Sequence, residues 1–234
     1  MKNTTISKPI SSRILYSDNH LLVVNKLPSE IVQGDKTGDT PLSEIVKAYI
    51  KDTFKKPGNV FTGVIHRIDR PTSGAVVFAR TSKALSRMNE LVKERGMKKT
   101  YWAIVKNKPE EHQGHLTHHL VRNNKKNKSF AYNKPSADSK EAVLSYKTIG
   151  KSDNYYLLEI DLKTGRHHQI RAQLSVIGCP IKGDLKYGYP RSNKDGSISL
   201  HARSVEFIHP VKQEKISIVA PPPANGLWDM FIDG

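Results

Sequence analysis

The stretch VIHRIDRPTSGAVVFAR, residues 64–80, constrains this chain more than any other. Val64 and Ile65 precede its polar centre, and Ala75, Val76, Val77 and Phe78 follow it. Those apolar runs read as buried strands on either side of a sharp polar excursion. Pro71 and Gly74 are the breakers that let the chain reverse. A short loop held between rigid, buried elements is how a reactive side chain is fixed to a fraction of an ångström. The loop carries His66, Arg67, Asp69 and Arg70, then Thr72 and Ser73. A carboxylate among so many cationic and hydrogen-bonding neighbours is expected to be ionised, because both favour the anion. An isolated Asp near an Arg is more often a turn tied down by an ion pair. The density of functional groups between two apolar runs argues instead for a site centred on Asp69.

With 234 residues, 37% of them hydrophobic, the chain suits one globular unit over residues 14–234 behind a polar, flexible arm over residues 1–13. A chain of this length needs no metal or disulfide to stabilise its core. The single cysteine, Cys179, excludes an intramolecular disulfide and fits a reducing compartment. No apolar run approaches the ~20 residues of a membrane span, and the first residues lack the apolar stretch of a signal peptide. A cytoplasmic protein with no membrane partner is expected. Thirty-eight Lys and Arg against 22 Asp and Glu give a formal charge of +16, which attracts polyanions. The basic residues are spread along the chain rather than gathered on one amphipathic helix, which favours nucleic acid over a membrane surface. No feature specifies an oligomer, and a monomer is expected.

ILYSDNHLLVVNKLP, from Ile14, reads as a hairpin around an Asp-Asn turn. Thr40 and Pro41 suit the N-cap and first position of a helix with Leu42, Ile45, Val46, Tyr49 and Ile50 on one face. A second helix follows Arg80, capped by Thr81 or Ser82, with Ala84, Leu85, Met88, Leu91 and Val92 as its stripe and Gly96 as its stop. KKTYWAIVK, residues 98–106, is rich in strand formers. Residues 107–140 show the least regular pattern. They hold His112, His115, His118 and His119, then the basic run RNNKKNK at 122–128. There is no HExxH, no second thiol, and no carboxylate set beyond Glu110 and Glu111, so no metal site is expected. The basic run reads as a solvated loop able to touch phosphates. Tyr156, Leu158, Ile160 and Leu162 alternate as a strand, and Lys163-Thr164-Gly165 turns into a helix with Ile170, Leu174 and Ile177 on its core side and Gly178 at its end. A turn at Lys194-Asp195-Gly196 leads to the strand SLHARSVEFIHP, and a Pro-rich finish carries an aromatic anchor.

Four ordered motifs resemble those of the RluA-type RNA pseudouridine synthases. HRIDRPTSG resembles the family signature H-R-L-D-x-x-T-S-G, with Ile68 where leucine is commoner. The opening hairpin is similar to the family's strand pair ending in V-N-K-P, although Leu27 separates Lys26 from Pro28. Lys99, Tyr101, Ala103 and Val105 match K-x-Y-x-A-x-V. TGRHHQIR and then GCPIKGDLKYG, residues 164–188, match T-G-R-x-H-Q-I-R and G-x-P-I-x-G-D-x-x-Y-G, and the L-H-A segment closes the domain. His167 fills a position the family leaves variable. Gln173 stands where histidine is usual, a departure expected to leave the chemistry alone. The match begins so near the start of the chain that no room for an S4-type RNA-binding domain precedes it. The catalytic domain is therefore expected to bind RNA itself or with a partner's help.

The resemblance implies an α+β fold: a mixed, mostly antiparallel sheet with flanking helices and a central RNA cleft. It implies isomerisation of a uridine in rRNA or tRNA, with Asp69 as the essential carboxylate, Arg171 paired to it, and Tyr101 under the uracil as the base for its C5 proton. Arg67 is the matching residue for bracing the gap left by a flipped nucleotide. His66, Arg70 and Arg166 are further candidates for RNA contact. No cofactor is implied. One carboxylate with no second nearby suits an isomerase, whereas a glycosidase normally flanks its bond with two. Two rival readings are a non-catalytic RNA-binding module on the same fold and a His-rich, metal-dependent phosphoesterase acting on nucleic acid. Intact Asp69, Tyr101 and Arg171 weigh against the first, and the absence of a metal motif weighs against the second.

Overall fold

The computed structural model describes residues 9–232. Most of the expected N-terminal arm lies outside them. Ile10–Arg13, taken as the end of that arm, instead form a 3-10 turn whose Arg13 is buried and donates to Glu30 at 2.7 Å. The elements that follow are β1 (Ile14–Ser17), β2 (Leu21–Lys26), α1 (Leu42–Thr53), β3 (Gly63–Val64), β4 (Ser73–Ala79), α2 (Ser82–Lys93) and β5 (Lys98–Val105). Then come β6 (Gln113–Asn123), β7 (Lys128–Tyr132), β8 (Lys140–Lys151), β9 (Tyr156–Leu162), α3 (Gln169–Val176), β10 (Leu200–Ile208), β11 (Lys215–Val219) and α4 (Gly226–Asp229). The strands form one sheet in the order β1-β2-β4-β10-β5-β9-β8-β6-β7, with β3 beside β4 and β11 beside β10. The contact between β4 and β10 is parallel, and the other strand pairs are antiparallel. The fold is therefore α+β with a mixed, mostly antiparallel sheet.

Leu21–Val24 and Ala75–Ala79 are apolar without interruption, the pattern of strands covered on both faces. Leu22, Val24, Val76 and Phe78 pack with Leu42, Val46 and Ile50 of α1. Leu21, Val23, Val77 and Ala79 pack with Ala84 and Met88 of α2 and with Phe207 and Ile218. Across β5, β9 and β8 the sequence alternates, and so does burial. Tyr101, Leu158 and Ile160 join the α1 side together with Ile170 and Leu174 of α3. Lys98, Thr100, Ser145, Glu159 and Asp161 line a cavity of about 700 Å³, and by strand alternation they lie on the opposite face.

Several local expectations needed correction. Thr40 does not cap α1. The helix starts one residue later, and Ile31 and Val32 offer their carbonyls to the N–H groups of Leu42 and Ser43. At the end of α2 the left-handed residue is Arg95 (φ 60°), while the Gly96 N–H closes the turn on Leu91 O. Thr81 does cap that helix, accepting from the Ala84 N–H. Residues 107–140, read as irregular, hold the hairpin β6–β7. Its buried positions alternate as expected of a strand, but one of them is His118 between Leu116 and Leu120, which masks the apolar period. The C-terminal anchor docks as expected, with Trp228 buried against Ile104 and Leu157.

The Asp18 turn of the first hairpin is a tight polar knot. The His20 and Leu21 N–H groups each donate to Asp18 Oδ1 at 2.8 Å, and the Tyr16 hydroxyl donates to Oδ2 at 2.9 Å. Lys212, from the turn between β10 and β11, lies 3.3 Å from Oδ2. Burial alone would raise this carboxyl's pKa, but the backbone donors, then Tyr16 and Lys212, outweigh it and bring it down to about 2. A carboxyl held below its unfolded value stabilises the fold above pH ~4, and that contribution fades as pH falls through about 2. We expect Asp18→Asn to lower the unfolding free energy at pH 7 by about 2 kcal/mol and to flatten the acid limb of the stability–pH profile. Urea titrations at pH 7 and pH 2.5 test this, and equal losses at both would refute it.

Candidate active site

The loop between β3 and β4 has almost no freedom, because successive backbone groups are bonded to different elements. Thr72 N–H closes a turn on Asp69 O at 3.0 Å. Arg70 O accepts from Ser29 N–H at 2.9 Å and from Lys26 Nζ at 3.1 Å. Pro71 O accepts from Ile198 N–H at 3.1 Å. Behind the loop, Ser73 Oγ lies 2.8 Å from Nδ1 of the buried His201, whose Nε2 faces Ala220 O at 3.1 Å. Gly74 (φ +118°) lies where β4 meets β10, and a Cβ there would overlap the backbone of Ala202. Only glycine meets both requirements. Lys26 is fully buried, and burial pulls its pKa down to about 7 against the upward pull of Glu30 and Asp69.

Asp69 is thus presented by a rigid loop with its side chain 26% exposed. Arg171, from the first turn of α3, donates through Nη1 to Asp69 Oδ2 at 2.9 Å. The rest of the guanidinium is forked on Asp184, with Nε to Oδ2 at 2.7 Å and Nη2 to Oδ1 at 2.9 Å. Asp184 is 1% exposed. Burial works against the arginine's charge, but the Asp184 hydrogen bonds, then the charges of Asp69 and Asp184, outweigh it and raise the pKa. Tyr101, on β5, is buried, and burial followed by the charge of Asp69 raises its pKa as well. His168 Nε2 lies 3.6 Å from Asp69 Oδ2.

Residues 20–176 match the profile described as RNA pseudouridylate synthase. The tRNA pseudouridine synthase C of Vibrio parahaemolyticus is 32% identical over 231 residues, covering 91% of each chain. The ribosomal large subunit pseudouridine synthase C of Buchnera aphidicola is 34% identical over 224 residues, covering 92% of this chain and 68% of the relative. The chain belongs to the RNA pseudouridylate synthase family. It is an RNA pseudouridine synthase, an isomerase whose substrate is RNA. Human RNA Pseudouridylate Synthase Domain Containing 4 shares the fold, with a TM-score of 0.80 at 23% identity over 94% of this chain and 92% of that one. Among the described residues of the synthase, no helix is long and apolar enough to cross a membrane.

Tertiary structure brings Asp69, Tyr101 and Arg171 together from a loop, a strand and a helix. The residues expected to touch RNA divide. Arg67 is exposed beside Asp69. Arg70 is exposed and paired with Asp39 at 2.7 Å, a surface contact worth at most ~1 kcal/mol. Arg166 is exposed, with Nε donating to Glu141 O. His66 departs from the expectation. Its Nε2 accepts from the Val77 N–H at 3.2 Å, standing in for a backbone acceptor where β3 has ended. Burial, with a smaller push from Lys99, lowers its pKa to about 3, so it is a neutral bracket for β4.

The histidines of β6 do not converge. His118 is buried against Gln173 Nε2 at 3.1 Å, while His115 faces Ser145 on the open side. Gln173, read as a neutral departure, has the same amide nitrogen within 3.2 Å of Leu116 O and 3.1 Å of Ala142 O and so ties α3 to β6 and β8. The expectation of no second carboxylate near Asp69 also needs correction. Asp184 shares Arg171 with Asp69, but it is sealed behind the guanidinium. Its place in the GD motif was visible in the sequence, whereas its partner was not. Asp184→Ala would leave a buried cation partly unpaired, at a cost of about 3–5 kcal/mol in unfolding free energy. Chemical denaturation measures it, and a loss under ~1 kcal/mol would mean that Arg171 is held without Asp184.

Proposed function

We propose that Asp69 is the carboxylate that engages the target uridine, that Arg171 fixes its orientation, and that Tyr101 forms the floor beneath the uracil. The reading rests above all on one observation: Asp69 is about a quarter exposed to solvent, with one oxygen held by a guanidinium that cannot swing, because Asp184 grips its other edge. The reaction breaks the N1–C1′ bond, joins C5 to C1′, removes the C5 proton and leaves a proton on N1, with no water consumed. Two routes fit a single accessible carboxylate: attack at C1′, or removal of the C2′ proton to begin an elimination. Flipping the uridine out of structured RNA opens a gap, and the exposed Arg67 beside the loop is assigned to brace it.

Tyr101 enters this scheme as a neutral phenol. Burial, then the nearby charge of Asp69, holds its proton on, so it takes the C5 proton only after passing its own to another group. Its first task is therefore to pack against the base. Arg70, Arg166 and the basic tip of the β6–β7 hairpin are assigned to phosphates. The target is taken to be a uridine in tRNA or ribosomal RNA, the substrate classes named in the two relatives above. Residues 14–234 act in this reading as one catalytic unit.

Pseudouridine mapping of cellular RNA, with the gene deleted and then restored as wild type or Asp69→Asn, tests both target and carboxylate. One site should vanish on deletion and return with wild type alone, with Asp69→Asn slower by roughly 10³-fold or more on the purified RNA. If Asp69→Asn restores the site as well as wild type, the assignment of Asp69 is wrong.

A further inference from the structure

The β6–β7 hairpin reaches towards Asp69 through Ser129. Ser129 lies on β7, which ends the sheet, so among the described residues one side of this strand has no strand partner. The Tyr187 hydroxyl fills that place, accepting from Ser129 N–H at 2.9 Å and lying 3.1 Å from Ser129 O. The same hydroxyl is 3.0 Å from His168 Nδ1. Ser129 Oγ reaches His167 Nδ1 at 2.9 Å, and the His167 ring stacks on His168 with centroids 3.8 Å apart. Two paths therefore lead from one hairpin residue to the imidazole whose Nε2 faces Asp69 Oδ2 at 3.6 Å. That distance is an electrostatic contact rather than a hydrogen bond.

The hydroxyl has one proton to give, and the charges around His168 decide where it goes. An N–H is favoured where a ring nitrogen faces a carboxylate, so Nε2 carries the ring proton. Nδ1 is then a bare acceptor, and Tyr187 donates to it while accepting from Ser129 N–H. Burial fixes how many protons the two groups hold. It lowers the pKa of His168 to about 3 and raises that of Tyr187 to about 12, so the ring is neutral and the phenol protonated. His168 also sits in the left-handed region (φ 54°), which costs a non-glycine residue free energy and is maintained where the surroundings fix it. Arg171 lies over the Tyr187 ring at 5.0 Å and Lys128 at 4.8 Å, so the ring's place does not depend on the hydroxyl alone.

We propose that Tyr187 and His168 are positioning residues of the isomerisation, which transmit the seating of the β6–β7 hairpin to Asp69. The Tyr187 hydroxyl, braced by the free edge of β7, holds the His168 ring with its Nε2–H turned on the carboxylate. The inference rests on the reading of Asp69 given above. It identifies a second support for that carboxylate, opposite in kind to Arg171: a neutral, oriented dipole linked to the RNA-facing hairpin.

Three measurements on the full chain test it. Long-range 1H–15N NMR of histidine-labelled protein should show His168 protonated at Nε2 and bare at Nδ1, and the reverse tautomer overturns the proposal. In single-turnover isomerisation of the RNA that wild type converts, Tyr187→Phe should slow the step about tenfold while the half-saturating RNA concentration stays within about twofold. His168→Gln, which keeps an N–H donor, should retain more activity than His168→Ala. A wild-type rate for Tyr187→Phe, or a loss confined to RNA binding, overturns it. Asp69→Asn assayed alongside separates the two claims. If it stays active, the reading of Asp69 has failed and the relay with it. If it is inactive while Tyr187→Phe turns over normally, only the relay has failed. Should Tyr187→Phe fold poorly, the wild-type tautomer still decides.

Discussion

Arg171 between Asp69 and Asp184 is the contact on which the rest of the site depends. A guanidinium this deeply buried is tolerated only if its charge and its donors are met, and one carboxylate would meet half of them. Asp184, sealed from solvent, takes the Nε edge in a fork. Asp69 takes the remaining Nη1 and keeps an exposed side. The asymmetry matters chemically: both carboxylates neutralise the arginine, but only one is accessible. The proposed site, with its single accessible carboxylate, is built here from two, the second making the first one's partner immobile.

That geometry would be useless on a mobile loop. The loop bearing Asp69 is fixed from β2 through Lys26, from the 198 region through Ile198, and from β10 through His201 and the close approach at Gly74. Each anchor belongs to an element made rigid by its own burial. Leu21–Val24 and Ala75–Ala79 are covered on both faces. The +16 charge acts on a different scale. It draws RNA towards the protein from a distance set by ionic strength, while in the proposed reading placement of the base depends on contacts within a few ångströms of Asp69.

The sequence by itself determined the hairpin at 14–26, the strand–loop–strand around Asp69, the helix after Thr81, the α3 segment and the docked aromatic tail. In each of these, apolar period and turn chemistry point to the same structure. It also pointed to the side chains proposed for the site, because HRIDRPTSG, KKTYWAIV and TGRHHQIR are contiguous strings whose resemblance does not need a structure to be seen. It missed the β6–β7 hairpin, where a core position is occupied by His118 and the buried stripe no longer looks apolar. It missed the start of α1, where the carbonyls of Ile31 and Val32 do the work assigned to Thr40. It also sent His66 to the RNA, although the end of β3 leaves that ring facing the backbone of Val77.

What only the tertiary structure decided was partnership. Asp184 is 13 residues from Arg171, Ser129 is 58 from Tyr187, and Asp69 is 102 from Arg171. A hydrogen bond across such separations depends on how strands and helices cross, and no local pattern encodes it. Local periodicity reports which face of an element is buried. It does not report what lies opposite that face, and the chemistry of a buried charge is set by what lies opposite.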